Sequence, residues 1–197
     1  MLYDFSRTEA PQRYKLMSHT IVPRPIAWIV TEGASSLNVA PFSFFSGVSS
    51  NPPTVMVAIG HKSDGSPKDT LYNIRTTKKC VICSVTPEAL EKMHYSSAEL
   101  GTDVDEAQHY DIETVKLFDD YPPMIKGAPT ALFCTLLQET FIKGSKTIPV
   151  FLQIDHMYLD DRCVDAKGQF ELDLVARVGK SYATLGAQIP APEIPDR

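Results

Sequence analysis

Short runs of β-branched and aromatic residues, broken at brief intervals by Gly and Pro, limit most strongly what this chain can fold into. They predict strands over residues 26–31, parts of 39–48, 54–60, 80–85, 131–142 and 149–160. Many strands with few helices favour a barrel or a sandwich over a doubly wound sheet. We therefore predict a mainly β fold, a β-barrel with short helical excursions.

Three segments interrupt the strand pattern with helix-start signals or helical periodicity. They predict helices over residues 68–75, 87–94 and 103–109. The second has Thr86 as a good N-cap and Pro87 at its first position. A long helical or irregular insertion thus separates the early strands from the later ones. No internal repeat divides the chain, so we predict one domain over 1–197 with an extended, Pro-rich tail at about 187–197.

Composition and charge weigh against several classes of function. The chain has 197 residues and a net charge of −5, with a pI near 5.5. A general nucleic-acid-binding protein needs a basic surface, so we expect no nucleic-acid partner. No apolar run approaches the ~20 residues that a membrane-spanning helix needs. The N-terminal residues lack the pattern of a secretory signal, so we expect a cytoplasmic location and no membrane partner.

Cys80 and Cys83 form a Cys-x-x-Cys pair, a spacing that can bind a metal or form a redox disulfide. The surrounding sequence, CVICSV, instead predicts a buried strand, in which residues three positions apart point to opposite faces. Two thiols on opposite faces cannot share a metal or form a disulfide. The histidines are scattered without a zinc-binding pair, so we predict no metal site.

The segment GHKSDGSPKDTLYNI, residues 60–74, combines a strand end, a Gly/Ser/Pro turn and a helix start. A helix N-terminus offers free backbone N–H groups and a partial positive charge, and Lys68 and Thr70 add a cation and a hydroxyl there. This pattern is typical of a phosphate site. It is also consistent with a surface helix that is capped by Asp69 or Ser66 and has a solvated Lys68.

The segment NVAPFSFFSGVSSNPP, residues 38–53, carries more hydroxyl groups and more aromatic rings than an ordinary strand or loop needs. Its alternation does not separate an apolar face from a polar one. The pattern suits a strand that lines a ligand pocket, where rings bound a flat apolar group and hydroxyls meet polar edges. It also suits a strand buried between two sheets, with its serines bonded to backbone.

Three segments in this order, PRPIAWIVTEG, NVAPFSFFSGVSSNPP and KDTLYNI, resemble the flavin reductase-like, FMN-binding split-barrel proteins, which include flavoredoxins and flavin:NAD(P)H reductases. The resemblance extends through later segments and covers about residues 22–186. It implies a Greek-key-like split β-barrel that binds FMN non-covalently. It also implies a homodimer with the flavin near the subunit interface.

The resemblance further implies which residues contact the flavin. Backbone groups at the start of the second segment would line the ring, Ser46 and Ser49 would reach the ribityl chain or phosphate, and the residues from Lys68 onward would bind the phosphate. The full predicted set is Arg24, Asn38, Ala40, Pro41, Phe42, Ser43, Phe44, Phe45, Ser46, Ser49, Lys68, Asp69, Thr70, Asn73, Arg177 and Tyr182. Ser66 and Pro67 stand where the family often has a second basic residue or a glycine, which leaves one lysine in the predicted phosphate site.

The leading functional hypothesis is an FMN-dependent oxidoreductase that passes electrons from NADH or NADPH through FMN to an acceptor. A second hypothesis is an FMN-bearing electron carrier with a protein redox partner and little NAD(P)H activity, since the acidic pI suits a basic partner. A third is a split-barrel protein that has lost its flavin. The cofactor carries the chemistry in such sites, so we predict no catalytic side chain and a structural role for His156.

Overall fold

The computed structural model describes residues 1–192; the last part of the predicted tail, residues 193–197, lies outside the described range. The strands are β1 (Arg24–Pro25), β2 (Ala27–Glu32), β3 (Leu37–Phe42), β4 (Phe45–Ser50), β5 (Pro53–Gly60), β6 (Lys79–Cys83), β7 (Thr114–Val115), β8 (Met124–Ile125), β9 (Thr130–Glu139), β10 (Thr147–Leu159), β11 (Val175–Val178) and β12 (Ser181–Thr184). The helices are α1 (Ala10–Thr20), α2 (Asp69–Thr77), α3 (Leu90–Tyr95) and α4 (Glu106–His109).

Seven strands form one antiparallel sheet in the order β3-β2-β6-β9-β10-β5-β4. Each predicted strand region contributes to this sheet. The sheet curls into the half-barrel of a split-barrel fold, and the short helices pack around it, which confirms the predicted mainly β class.

A two-residue connection joins the opposite edges of this sheet. β3 ends at Phe42 and β4 begins at Phe45, so Ser43 and Phe44 alone lie between the two strands at the ends of the sheet order. Three Cα steps span at most about 11 Å. The sheet must therefore curl until its edges meet, and the Phe44 carbonyl accepts a hydrogen bond from the Ala58 N–H of β5 at 2.9 Å. The predicted strand region 39–48 is thus two strands on two edges.

The two faces of the curled sheet bury separate apolar cores. On β6, Cys80 and Ile82 face the core that packs on α2, while Val81 and Cys83 face the core that packs on the insertion. The Cys-x-x-Cys thiols therefore lie on opposite faces, as predicted, and both are free and buried. Burial raises the pKa of the Cys83 thiol to about 12, so it is not a nucleophile at neutral pH.

A small sheet of β1, β11 and β12 stands beside the main one. Strand β1 pairs with β11, so that Arg24 lies opposite Arg177. No sequence pattern predicted β1, β11, β12 or α1. Strand β1 has only two residues, and in α1 Ser18 is the one buried residue, so neither element gives a clear periodic signal.

The predicted helix over 87–94 begins later than expected. Residues Pro87–Ala89 form a turn, in which the N–H groups of Ala89 and Leu90 bond to the carbonyls three residues back, and α3 starts at Leu90. Thr86 and Pro87 therefore precede a turn, and the prediction that a helix starts at Pro87 was wrong. The third helix is also shorter than predicted, since Asp105 caps α4 through the N–H of Gln108.

Residues 84–129 form the insertion between β6 and β9. Its last part packs on the main sheet through an aromatic cluster, in which the Phe118 ring stacks on His156 with centroids 4.5 Å apart. The Tyr121 hydroxyl accepts a hydrogen bond from Lys79 Nζ at 2.7 Å and donates one to Asp155 Oδ2 at 2.8 Å. The insertion is therefore fixed to β6 and β10, and His156 has a packing contact in agreement with its predicted structural role.

Candidate functional site

A small cavity of about 40 Å³ lies where the N-terminus of α2 meets the C-terminal half of β3. It brings together side chains that are about thirty positions apart in the sequence. The structure places seven of the predicted residues in its lining: Asn38, Ala40, Pro41, Phe42, Lys68, Asp69 and Thr70. Ser96 and Ser97, from the insertion, line the opposite side.

A buried hydrogen-bond cluster fixes α2 against β2 and β3. Asn38 Nδ2 donates to Thr70 Oγ1 at 2.8 Å and to Thr31 Oγ1 at 3.3 Å, and Asn73 Nδ2 donates to the same Thr31 oxygen at 3.1 Å. All four side chains are buried. Buried amides and hydroxyls need such partners, because an unsatisfied polar group costs free energy. The cluster therefore sets where the first turn of α2 points.

Two lysines and two carboxylates surround the cavity. Lys62 Nζ lies 2.8 Å from Asp69 Oδ2, and Lys68 Nζ lies 3.7 Å from Glu99 Oε1. The Lys62–Asp69 pair is the more buried, with side chains 16% and 21% exposed. Sequence reasoning missed Lys62, although it lies inside the segment 60–74 that was singled out. The site therefore contains a second lysine that follows β5 rather than preceding Lys68 directly.

The insertion supplies two carboxylates that bond to the free edge of β3. Asp105 Oδ2 accepts a hydrogen bond from the Leu37 N–H at 3.0 Å, and Glu106 Oε2 accepts one from the Val39 N–H at 2.5 Å. These N–H groups point away from β2, and the carboxylates bond to them as a further strand would. No local sequence signal marked Asp105 and Glu106, because their partners are distant in the chain.

Glu106 is buried beside the charged side chains of the cavity. The pKa of its carboxyl is raised to about 7: burial raises it most and the Asp69 charge adds to this, while the hydrogen bond from Val39 and the charges of Lys62 and Lys68 lower it. The group therefore changes charge near neutral pH in the folded protein.

The predicted residues of β4 lie on an exposed edge of the sheet. Ser46 and Ser49 are exposed, and within residues 1–192 their hydroxyls make only local bonds, with the Gly47 carbonyl and the Asn51 N–H. Phe45 instead lines an apolar cavity of about 370 Å³ at the other side of the strand. The polar groups of that cavity, on Ser84 and Thr130, bond to each other, so the cavity offers mainly apolar contacts.

Arg24 lies at the connection between β3 and β4 and is 4% exposed. Its guanidinium donates to the carbonyls of Ser18 and Gly179 at 2.5 and 3.5 Å and to Ser43 Oγ at 3.5 Å. It also lies 5.7 Å from the centre of the Phe44 ring. These contacts tie α1 and the β11–β12 turn to the connection, which is a structural role.

Arg177 and Tyr182 form a cross-strand pair in the small sheet. The guanidinium lies 4.5 Å from the centre of the Tyr182 ring. The Tyr182 hydroxyl is 2.8 Å from His94 Nδ1 on α3. Neither residue lines the small cavity at α2, so the structure separates this pair from the predicted residues of that cavity, although Arg177 lies opposite Arg24.

No group of His, Cys, Asp and Glu side chains within residues 1–192 could hold a metal ion. In the same part of the chain, no helix has the length and apolarity to cross a bilayer.

The chain belongs to the flavin reductase-like domain family, which it matches over residues 17–171. An uncharacterized protein of Deinococcus radiodurans is 34% identical to it, over 89% of this chain and 82% of that protein. The match confirms the family that the sequence motifs predicted, and with it the general class of flavin-binding oxidoreductase fold.

Solved structures of the same fold carry different activities in their names. Nitrilotriacetate monooxygenase component B from Bacillus cereus superposes with a TM-score of 0.89 at 22% identity, over 97% of this chain and 98% of that one. The 2-nitrobenzoate 2-nitroreductase NbaA of Pseudomonas fluorescens superposes at 0.87 with 24% identity, over 100% and 99%. These identities establish the fold and leave the activity open.

We predict that Glu106 makes stability depend on pH. Its pKa is about 7 in the folded protein against an ordinary 4.5, so the folded state binds more protons between these values. The free energy of unfolding should therefore fall as pH rises from about 5 to about 8, by up to about 3 kcal/mol. Glu106→Gln, which keeps an acceptor for Val39, should remove this component in urea unfolding measured across the pH range.

The matched control is Glu171→Gln, since Glu171 is exposed. It should leave the pH profile of the wild type unchanged. A Glu106→Gln profile with the same slope as the wild type would contradict the assignment.

Proposed function

We propose that this protein is an FMN-binding oxidoreductase of flavin-reductase type, which takes electrons from a reduced nicotinamide and passes them to an acceptor. The observation that carries the proposal is the shared cavity, in which the start of α2 and the end of β3 lie side by side. They belong to two of the three segments whose sequences resemble the family.

The first turn of α2 suits the phosphate of FMN. Its leading backbone N–H groups have no partner within the helix, and a helix N-terminus favours an anion. Thr70 Oγ1 accepts from Asn38, and its own proton has no acceptor among the residues that the structure describes, so it can donate to a phosphate oxygen. Lys68 and Lys62 supply positive charge beside these donors.

Residues 40–46 suit the flavin ring and ribityl chain. They run from the small cavity across the connection to the exposed edge of β4, where Ser46 and Ser49 face outward. A single chain leaves this edge uncovered, and Val48 at its centre is 54% exposed. A second copy of the chain would cover it, which supports a homodimer with the flavin near the subunit interface.

When bound, the flavin supplies the hydride- and electron-transfer chemistry, and the protein binds and orients it. The cavity at α2 has no histidine or cysteine in its lining, and its carboxylates, Asp69 and Glu99, are paired with Lys62 and Lys68. The chain's contribution is therefore charge, hydrogen-bond donors and exclusion of water. We assign no catalytic side chain.

A second candidate function is an FMN-bearing electron carrier that works with a protein partner. The net charge of −5 favours a basic partner. The two functions share one flavin site and differ in whether a nicotinamide dinucleotide reduces it.

Lys68→Ala should weaken FMN binding because it removes a charge-assisted hydrogen bond to the phosphate. We expect a loss of about 1.5–3 kcal/mol, which isothermal titration calorimetry of the flavin-free protein would measure. Lys126→Ala is the control, since Lys126 pairs with Glu113 and does not line the cavity at α2. An FMN dissociation constant that Lys68→Ala leaves unchanged would exclude Lys68 as a ligand.

An anaerobic titration of the FMN-loaded protein with NADH and with NADPH tests the electron path. The visible flavin absorbance should bleach with at least one of the two. If neither bleaches it while dithionite does, the flavin-reductase function is wrong and the electron-carrier function is favoured. If the purified protein is colourless and does not bind FMN, both functions are wrong.

The homodimer can be tested by light scattering of the FMN-loaded protein. The expected mass is twice the 21.8 kDa of the chain. Val48→Asp should shift the mass toward that of the monomer, because it places a charge on the exposed edge of β4. A monomeric wild type with FMN fully bound would refute a flavin site that two subunits share.

A further inference from the structure

A second, larger cavity of about 410 Å³ lies on the other side of the α2 N-terminus. It is within the size range of small-molecule sites, whereas the 40 Å³ cavity has room for about three water-sized spheres, close to a single phosphate group. Its walls come from the β2–β3 turn, the loop before α2, α2 itself and the insertion. They include Ser36, Ser66, Tyr72, Asn73 and Thr102.

The two cavities follow one another along β3. The larger one is flanked by residues 33–38 and the smaller one by residues 38–42, and both share Asn38, Lys62 and Asp69 in their linings. If the flavin ring lies along residues 40–46 and its phosphate lies at α2, the larger cavity is on the far side of the phosphate from the ring. FMN ends at its phosphate and would leave this cavity unfilled.

The shared wall carries the charge that a second phosphate needs. Lys62 Nζ lies between the cavities and bonds to Asp69 at 2.9 Å. An anion in either cavity can therefore contact the Lys62 ammonium group. A pyrophosphate could reach Lys68 with one phosphate and Lys62 with the other.

Tyr72 gives the larger cavity a surface for a base. It lies on the first turn of α2, is 60% exposed and makes no hydrogen bond through its hydroxyl among the residues described here. An exposed ring at the edge of a polar cavity can stack on a flat heterocycle. Ser36 and Asn73 offer polar atoms in the same lining.

We propose that the larger cavity binds the adenylate half of a dinucleotide, with the base on Tyr72 and its phosphate at Lys62. The inference rests on the proposed flavin site, because that site fixes where the first phosphate lies. The adenylate can belong to FAD, as an extension of the flavin itself, or to a nicotinamide dinucleotide that binds beside FMN.

The first experiment compares FAD with FMN in calorimetric titrations of the flavin-free protein. Stacking of one base on an aromatic side chain changes affinity by roughly ten- to a hundredfold. FAD should therefore bind more tightly than FMN by about that factor. Tyr72→Ala should remove the difference and leave FMN affinity unchanged, whereas Tyr72→Phe, which keeps the ring, should preserve the difference. Thermal melts check that both variants are folded.

The second experiment titrates the FMN-loaded protein with NAD⁺ and with nicotinamide mononucleotide, neither of which reduces or oxidises bound FMN. If the adenylate comes from the nicotinamide dinucleotide, NAD⁺ should bind more tightly by a similar factor, and Tyr72→Ala should abolish that advantage. A positive result in either experiment supports the adenylate cavity and identifies its source.

The proposal is overturned if FMN binds but neither FAD nor NAD⁺ gains affinity over its mononucleotide. It is also overturned if the gain persists in Tyr72→Ala. Failure of FMN itself to bind is a different outcome, since it removes the flavin site on which the proposal rests.

Discussion

The connection of Ser43 and Phe44 holds together the two ends of the seven-stranded sheet. Its short reach makes an open, flat sheet impossible and brings the end of β3 next to the start of β4, the strands at the two edges of the sheet. Arg24, in the small sheet, stabilises this connection: it contacts Ser43 and Phe44 and donates a hydrogen bond to the Ser18 carbonyl. The curl of the sheet in turn places the free edge of β3 next to α2 and the insertion.

The candidate site follows from that arrangement. The Asn38–Thr70 bond fixes the start of α2 beside β3, and the carboxylates of Asp105 and Glu106 satisfy the N–H groups that β3 leaves free. A helix N-terminus, two lysines and a hydroxyl then converge on a cavity where negative charge is favoured. The nearby carboxylates of Asp69 and Glu99 pair with those lysines and limit the net positive charge. An entering phosphate must therefore compete with protein carboxylates for Lys62 and Lys68.

The local sequence pattern was sufficient to predict the strands of the main sheet, because their residues are β-branched or aromatic and the breaks between them carry Gly and Pro. It also located the start of α2, the segment proposed for the phosphate, since the residues that start a helix are adjacent in the sequence. The pattern could not show that residues 39–48 form two strands at opposite edges of the sheet. Strands β3 and β4 have similar compositions and differ in the strand that each pairs with, β2 for β3 and β5 for β4. Glu106 was missed for the same reason: its partner, Val39, is 67 positions away.

Arg24 shows a different limit. An arginine in a family motif suggests ligand contact, yet its guanidinium bonds to the carbonyls of Ser18 and Gly179. Residue type alone cannot separate a cation that binds a ligand from one that satisfies backbone carbonyls. Tyr72, by contrast, has no special residue type or position, and only the cavity that it lines gives it a role.

A crystal structure of the protein grown with FMN would test most directly whether the start of α2 and the end of β3 form one flavin site. We expect phosphate oxygens within hydrogen-bond distance of the first backbone N–H groups of α2 and of Thr70, with the ring along residues 40–46. A well-ordered FMN whose phosphate lies away from α2 would contradict this expectation.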